Sequence, residues 1–490
     1  MMQNLVIFLP LMIFFAGLFY LSRRPQLSSK TDFLSNYFLG DRALKGFVLA
    51  MTLVATYGSV SSFVSGPGLA WHYGLGWVVF AAPQIITGFF VLGVVGKKMA
   101  LVSRRIKAVT VIDVVAERFS SSSLAVALSF ALLAFFLAMM VGQFSGGAQL
   151  VSQAAGIPYA AGLVIFGLIV VAYTTVGGFR AVALTDTLCA ILMLAGMFLL
   201  AQSILSDVGG LSAVSQTIAQ NHPESVNRFF SFDADGALAL PLLFSAWILV
   251  GFATVALPQS VVRCMAYKTT SDLHLAMIVS TVVCGALMIG MTLLGFLARS
   301  VLPDAATFGG NTDAMIPYLI AHHMDPLTAG LTLIAPLAAT MSTVSSLLIA
   351  ASSAVIKDLY LRRYRHLPDK LDNLERYAKF TTFVLGAAAL LLALYPIDII
   401  VWINMFAFGG LEVAFLCPLV GGLFWKRATR AGAWASLSIG LAVYLAACLK
   451  WISLGSWHAV TGGLIASIAA FVIVSLMTPK ERPHEAFFPQ

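Results

Sequence analysis

Stretches of about 20 mostly apolar residues, the length that carries a helix across a bilayer core, recur from the first residues of this chain almost to the last. In hydrocarbon a backbone N–H or C=O finds partners only within the protein, so such stretches have to be helical. No segment between them is long and polar enough for a soluble domain. Only 10% of the 490 residues are charged, against about 25% in soluble chains. The expectation is an all-α integral membrane protein. Thirteen segments are expected to cross, near residues 4–22, 44–70, 76–96, 123–152, 157–177, 184–205, 237–260, 271–298, 327–355, 377–395, 398–424, 431–449 and 457–477.

A formal net charge of +8 would suit a nucleic-acid partner if the basic residues formed a patch. They fall instead in alternate loops: Arg23, Arg24, Lys97, Lys98, Arg104, Arg105, Arg362, Arg363, Arg365, Lys426 and Arg427 on one side, with Arg228, Arg299 and Lys450 on the other. Short loops rich in Lys and Arg stay cytoplasmic, so the basicity is topological. With an odd number of crossings the N-terminus lies outside and the tail from Pro479 to Gln490 inside. The first apolar stretch lacks a basic leader and a small-residue cleavage site and is expected to stay as a helix. Cys189, Cys264, Cys284, Cys417 and Cys448 show no CxxC spacing, which points to neither a metal site nor a disulfide framework.

Two segments are interrupted. The second carries Ala55-Thr56-Tyr57-Gly58-Ser59-Val60-Ser61-Ser62 and then Ser65-Gly66-Pro67-Gly68; the seventh ends in Ala256-Leu257-Pro258-Gln259-Ser260. Gly and Pro at membrane depth free backbone groups that need protein, ion or water partners. The interruptions lie five segments apart, an odd number, so pairing segments 2–6 with 7–11 makes inverted halves. Broken helices at matching places of inverted repeats mark a transporter's midplane site. The division expected is 1–42 for an extra helix and loop, 43–206 for the first repeat, 207–236 for an external loop, 237–430 for the second repeat, and 431–490 for two further helices and a short tail.

A sodium ion wants a cage of oxygens, supplied inside a bilayer by carbonyls of an unwound helix and nearby hydroxyls. The ninth segment carries Thr340-Met341-Ser342-Thr343-Val344-Ser345-Ser346, with Ser352 and Ser353 further on. Each hydroxyl has the alternative of bonding back to its own helix or to a neighbouring one. Asp186, just after Gly177-Gly178-Phe179-Arg180, has the local reading of a helix N-cap. Glu412 falls deep in the eleventh segment, where an ionisable group marks function by default. Gln84, Gln143, Thr254, Gln259 and Asn404 are polar groups on core segments that either meet a solute or join helices. The histidines, among them His322, His323 and His366, show no ligand spacing, Asp398 and Lys450 fall near segment ends, and no Gly-rich nucleotide loop or catalytic triad is visible. The chain is not expected to be an enzyme, nor to bind nucleic acid, nucleotide or any cofactor besides a coupling ion.

Residues 173–186, reading Tyr-Thr-Thr-Val-Gly-Gly-Phe-Arg-Ala-Val-Ala-Leu-Thr-Asp, resemble the signature of the sodium:solute symporter family, as do Ala339-Thr340-Met341-Ser342-Thr343 and Lys357-Asp358-Leu359-Tyr360. The likeness runs from Tyr37-Phe38-Leu39-Gly40 to Gly421-Gly422-Leu423-Phe424-Trp425-Lys426-Arg427. It implies thirteen helices with an inverted five-helix repeat and one sodium ion held by the carbonyls of Ala55, Gly58 and Ala339 and the hydroxyls of Ser342 and Thr343. It implies a role for Asp186 in sodium release toward the cytoplasm. Around the solute it favours the second, third, seventh and eleventh segments, with Trp247 or Phe252 as walls and Pro258 as a further pocket candidate. Proline-carrying members have an Asp where this chain has Tyr57, and Gln-Pro where it has Leu257-Pro258. Ser65-Gly66-Pro67-Gly68, Tyr73-Gly74-Leu75-Gly76-Trp77 and residues 406–412 read as they do in members that carry pantothenate, which implies sodium-coupled pantothenate uptake. Another organic acid, amino acid or sugar is the first alternative. A membrane sensor is disfavoured by a chain that ends about a dozen residues after the last segment, and a passive channel would need no sodium.

Overall fold

The computed structural model describes residues 2–22, 33–363, 373–395, 399–482 and 484–488. Arg23, Arg24, Arg365, His366 and Asp398 lie outside them. Helix dominates: among the described residues the only β pairing is an isolated bridge between Leu44 and Tyr267. In chain order the long elements are α1 (Met2–Ser22), α2 (Gly46–Tyr57), α3 (Ser61–Tyr73), α4 (Leu75–Arg105), α5 (Ser122–Ala155), α6 (Tyr159–Val208) and α7 (Leu240–Ala256). There follow α8 (Pro258–Met265), α9 (Thr270–Ser300), α10 (Pro326–Leu361), α11 (Leu374–Leu392), α12 (Ile400–Phe424), α13 (Arg430–Cys448) and α14 (Ala459–Met477). Among the described residues, eight helices are long and apolar enough to cross a membrane, and up to ten if each of two bent pairs is one crossing.

Both bent pairs sit where the sequence is interrupted. α2 stops at Tyr57 because Gly58 leaves the helical region (φ −66°, ψ 118°), and α3 resumes at a bend of 68°. Between α7 and α8, Leu257 is extended (ψ 111°) and the bend is 46°. Pro258 causes it: proline has no N–H to give, and its ring pushes the preceding residue out of the helical region.

α6 differs from the expectation of two segments joined by a loop. Its 50 residues would measure about 75 Å if straight, over twice a bilayer core. Gly178 breaks it (φ 62°, ψ −178°), a conformation open to glycine. One residue does the work of the expected loop.

α10 is the hub. Of its most apolar window 94% is buried, and it packs against α1, α2, α5 and α6. A helix this enclosed carries its Ser and Thr into protein, not lipid. On the side holding the basic loops, Arg42 donates to the Ala108 carbonyl at 2.6 Å, Arg118 to that of Gly422 at 2.8 Å, and Arg362 pairs with Asp113 at 2.8 Å. On the opposite face, Arg299 lies against Trp71, at the far end of α3.

Candidate ion and solute site

Where α2 breaks, its last carbonyls face the middle of α10. Ser342 Oγ lies 2.8 Å from the Ala55 carbonyl, 2.8 Å from that of Ala338 and 3.1 Å from that of Ala339. Thr343 Oγ1 lies 2.9 Å from the Ala339 carbonyl, 3.1 Å from that of Gly58 and 3.4 Å from that of Thr56. Both side chains are buried. Each hydroxyl has one proton to donate yet faces three carbonyl oxygens. This surplus of lone pairs around a broken helix is the chemistry that a hard cation neutralises. Ala55, Gly58, Ala339, Ser342 and Thr343, singled out from sequence, are thus brought together. Other hydroxyls of α10 bond within the protein: Thr340 to the Pro336 carbonyl at 2.7 Å, Ser345 to Ser342 at 3.0 Å and Ser353 to Ala350 at 2.7 Å, while Ser352 reaches the Ala378 carbonyl on α11 at 3.1 Å.

One turn along α10, Ser346 continues the polar line. Its Oγ meets Thr56 Oγ1 at 2.9 Å and accepts from Arg263 at 2.8 Å. Arg263, on α8, is 1% exposed and also donates to Thr52, to Thr56 and to the Gln259 carbonyl. It forms an ion pair with Asp186 at 3.3 Å, and Asp186 also accepts from Thr52 at 2.6 Å. The N-cap reading of Asp186 is thereby corrected. It lies two turns inside the helix that follows Gly178, its carboxylate turned toward α2 and α8. Thr343, Thr56, Ser346, Arg263 and Asp186 form a continuous chain from the oxygen cage toward the side of the basic loops.

On the other side of the break is a small, partly open cleft. Its floor is Tyr57, Ser59, Ser61 and Ser62, and Gln84 and Asn404 lie on its walls. Trp77 and Phe80 stack at 4.1 Å with planes 9° apart, giving it a flat apolar side. None of its lining residues is charged. Asn404 Oδ1 and Ser61 Oγ are buried without a hydrogen-bond partner among the described residues, and such groups carry a cost that a polar ligand relieves. The start of α3 points its positive helix end here.

The other solute candidates, Gln259 among them, are not part of this lining. Gln143 accepts from the Val60 N–H at 3.0 Å, satisfying a donor that the helix break frees. Trp247 donates to the Val79 carbonyl at 3.0 Å, Thr254 bonds back to Gly251 at 2.6 Å, and Pro258 is the first residue of α8. Phe252 is packed edge-on to Phe90. Glu412 is fully buried, with neither carboxyl oxygen hydrogen-bonded among the described residues. Sequence reading missed Arg263, which follows an apolar segment and so resembles a loop anchor; its spacing of four from Gln259, one helical turn, was the available signal. It also missed Tyr57, whose hydroxyl donates to the Val250 carbonyl at 2.6 Å and so ties the two broken helices together.

The family model described as "Sodium:solute symporter family" matches residues 37–440. A sodium/pantothenate symporter of Escherichia coli (strain K12) is 41% identical over 475 residues, 96% of each chain. One of Haemophilus influenzae is 39% identical over 477 residues, again 96% of each. Among solved structures, a Na+-coupled sialic acid symporter in a substrate-bound outward-open state matches with a TM-score of 0.79 at 20% identity, covering 99% of both chains, a likeness of fold alone. This multi-pass membrane protein belongs to the sodium:solute symporter family.

Proposed function

We propose that this protein takes up pantothenate with sodium by alternating access across a bacterial cytoplasmic membrane. The observation that carries this reading is one helix break that serves two sites. Its carbonyls complete an oxygen cage with Ser342 and Thr343 on one side, while Tyr57 to Ser62 floor the solute cleft on the other. The near-full-length likeness to sodium/pantothenate symporters supplies the solute. Residues 43–206 and 237–430 act as the inverted halves, with the N-terminus outside and the C-terminus in the cytoplasm.

Sodium entering from outside satisfies the surplus oxygens and stiffens the break, which fixes Ser59, Ser61 and Ser62 for the solute. Pantothenate is an anion with an amide and two hydroxyls. The cleft offers neutral hydroxyls and amides for its polar body and an apolar wall in Trp77 and Phe80. Its charge is balanced by the adjacent sodium and the positive end of α3. Once both are bound the halves rock, and sodium leaves past Ser346, Arg263 and Asp186. A tenfold sodium gradient contributes about 1.4 kcal/mol per ion. A one-to-one cycle moves no net charge and ignores membrane potential.

Competition tests the solute. Uptake of radiolabelled pantothenate into vesicles containing the purified protein is measured against excess unlabelled pantothenate, proline and sialic acid. Block by pantothenate alone supports the reading; block by another acid with none by pantothenate removes the solute assignment.

A further inference from the structure

On the face away from the basic loops, a second cleft gathers the two arginines that the charge distribution leaves there. The Arg299 guanidinium lies 4.0 Å from the Trp71 ring centroid and 4.2 Å from that of Phe229. Arg228 lies 5.9 Å from the Tyr73 ring and contacts His72 Nε2 at 3.1 Å. Both arginines, His72 and His222 line the same cleft. Its one carboxylate, Asp304, accepts from the Ala306 N–H, and neither arginine forms an ion pair among the described residues.

Two donors here, Arg228 Nε and Arg299 Nε, are buried without a hydrogen-bond partner among the described residues. Arg299 Nη1 donates to the Trp71 carbonyl at 3.3 Å. The remaining N–H groups of the two neighbouring guanidiniums match the fork geometry that recognises an oxyanion. The cleft is also linked to the central one. Tyr73, under Arg228, stacks on Trp77 at 5.8 Å with planes 20° apart, and Trp77 stacks on Phe80. Trp77 and Phe80 wall the solute cleft.

We propose that this cleft is a second, outer anion-binding site, in which Arg228 and Arg299 hold the carboxylate of the arriving solute before it moves along the aromatic ladder inward. The inference rests on the pantothenate reading and on the outward orientation of this face. The central cleft has no charged side chain, so it recruits an anion only with sodium in place; the outer site needs no sodium. A lipid phosphate offers the same chemistry, and the test separates the two.

Purified protein is equilibrated with radiolabelled pantothenate in sodium-free buffer, wild type beside Arg228→Gln and Arg299→Lys. The same preparations are assayed for sodium-driven uptake in vesicles. Wild type is expected to show weak saturable binding without sodium, weakened in Arg299→Lys, which keeps the charge and loses the fork. In Arg228→Gln this binding weakens about tenfold, the loss of one charge-assisted bond, and the effect on uptake falls on KM more than on kcat. Absence of sodium-free binding in a wild type that transports normally overturns the outer site and leaves the transport reading intact. Sodium-free binding with no sodium-driven pantothenate uptake removes the transport reading and keeps the site. Displacement of the label by phosphatidylglycerol, with an unchanged KM in Arg228→Gln, identifies a lipid-phosphate site and overturns the solute role.

Discussion

Removing Arg263 is expected to damage the protein far more than neutralising Asp186, although the two form one ion pair. Arg263 donates to Asp186, Thr52, Thr56, Ser346 and the Gln259 carbonyl. Arg263→Met strips all of these and leaves Asp186 without a cation, with Thr52 still donating at 2.6 Å. Breaking a buried pair in this way costs about 3–5 kcal/mol, because a charge is left uncompensated. Asp186→Asn keeps the shape and leaves Arg263 four neutral acceptors, so its cost is closer to 1–3 kcal/mol. The double variant removes the stranded charge and is expected to recover about 2 kcal/mol relative to Arg263→Met alone. Thermal unfolding of the purified proteins, followed by tryptophan fluorescence, gives the order wild type, Asp186→Asn, double variant, Arg263→Met. In uptake, Asp186→Asn slows turnover more than it weakens sodium or solute binding. Equal losses for the two single variants, adding in the double, would refute the buried-pair account. Unchanged turnover in Asp186→Asn would leave that carboxylate only structural.

Five other substitutions address the cage, the break and the cleft. Ser342→Ala and Thr343→Val each remove one cage oxygen, and each is expected to raise the sodium needed for half-maximal uptake about tenfold, the worth of one bond to a charged group; sodium titrations of uptake check this. Gln143→Leu strands the Val60 N–H at the helix break and is expected to lower stability by about 1–3 kcal/mol and to weaken sodium affinity with it. Gly146→Ala acts at the same place, since its Cβ would lie 2.2 Å from Val60 Cγ2, and unfolding with sodium titration reads both. Asn404→Ala is expected to raise the KM for solute several-fold, as the loss of one neutral hydrogen bond, with the sodium dependence unmoved.

The parts of this structure that could be read from sequence are those that a local rule controls. Crossing helices follow from apolar length, and both breaks from Gly58 and Leu257-Pro258, where local backbone chemistry outweighs context. The hydroxyl run 340–346 stood out beside a broken helix, and the family resemblance pointed to Ser342 and Thr343 within it. What escaped depends on packing between distant segments. Gln143 meets Val60 across 83 positions, and no local signal separates a helix-break cap from a solute ligand. Asp186 follows Gly178 closely enough to resemble a cap, but the kink takes one residue, and the carboxylate ends deep in α6. Arg263 looked like a cytoplasmic anchor because a cation after an apolar stretch usually is one; only its meeting with Asp186, 77 positions away, allows its burial.

The central claim, that the cage at Ala55, Gly58, Ala339, Ser342 and Thr343 couples sodium to solute, is tested most directly by accumulation of radiolabelled pantothenate in vesicles with and without an inward sodium gradient. Wild type and the Ser342→Ala/Thr343→Ala double variant are matched for protein in the membrane. The account predicts accumulation above the external concentration only with the sodium gradient, and its loss in the double variant at sodium levels that saturate wild type. Accumulation that persists without sodium, or a double variant with unchanged sodium dependence, would contradict it.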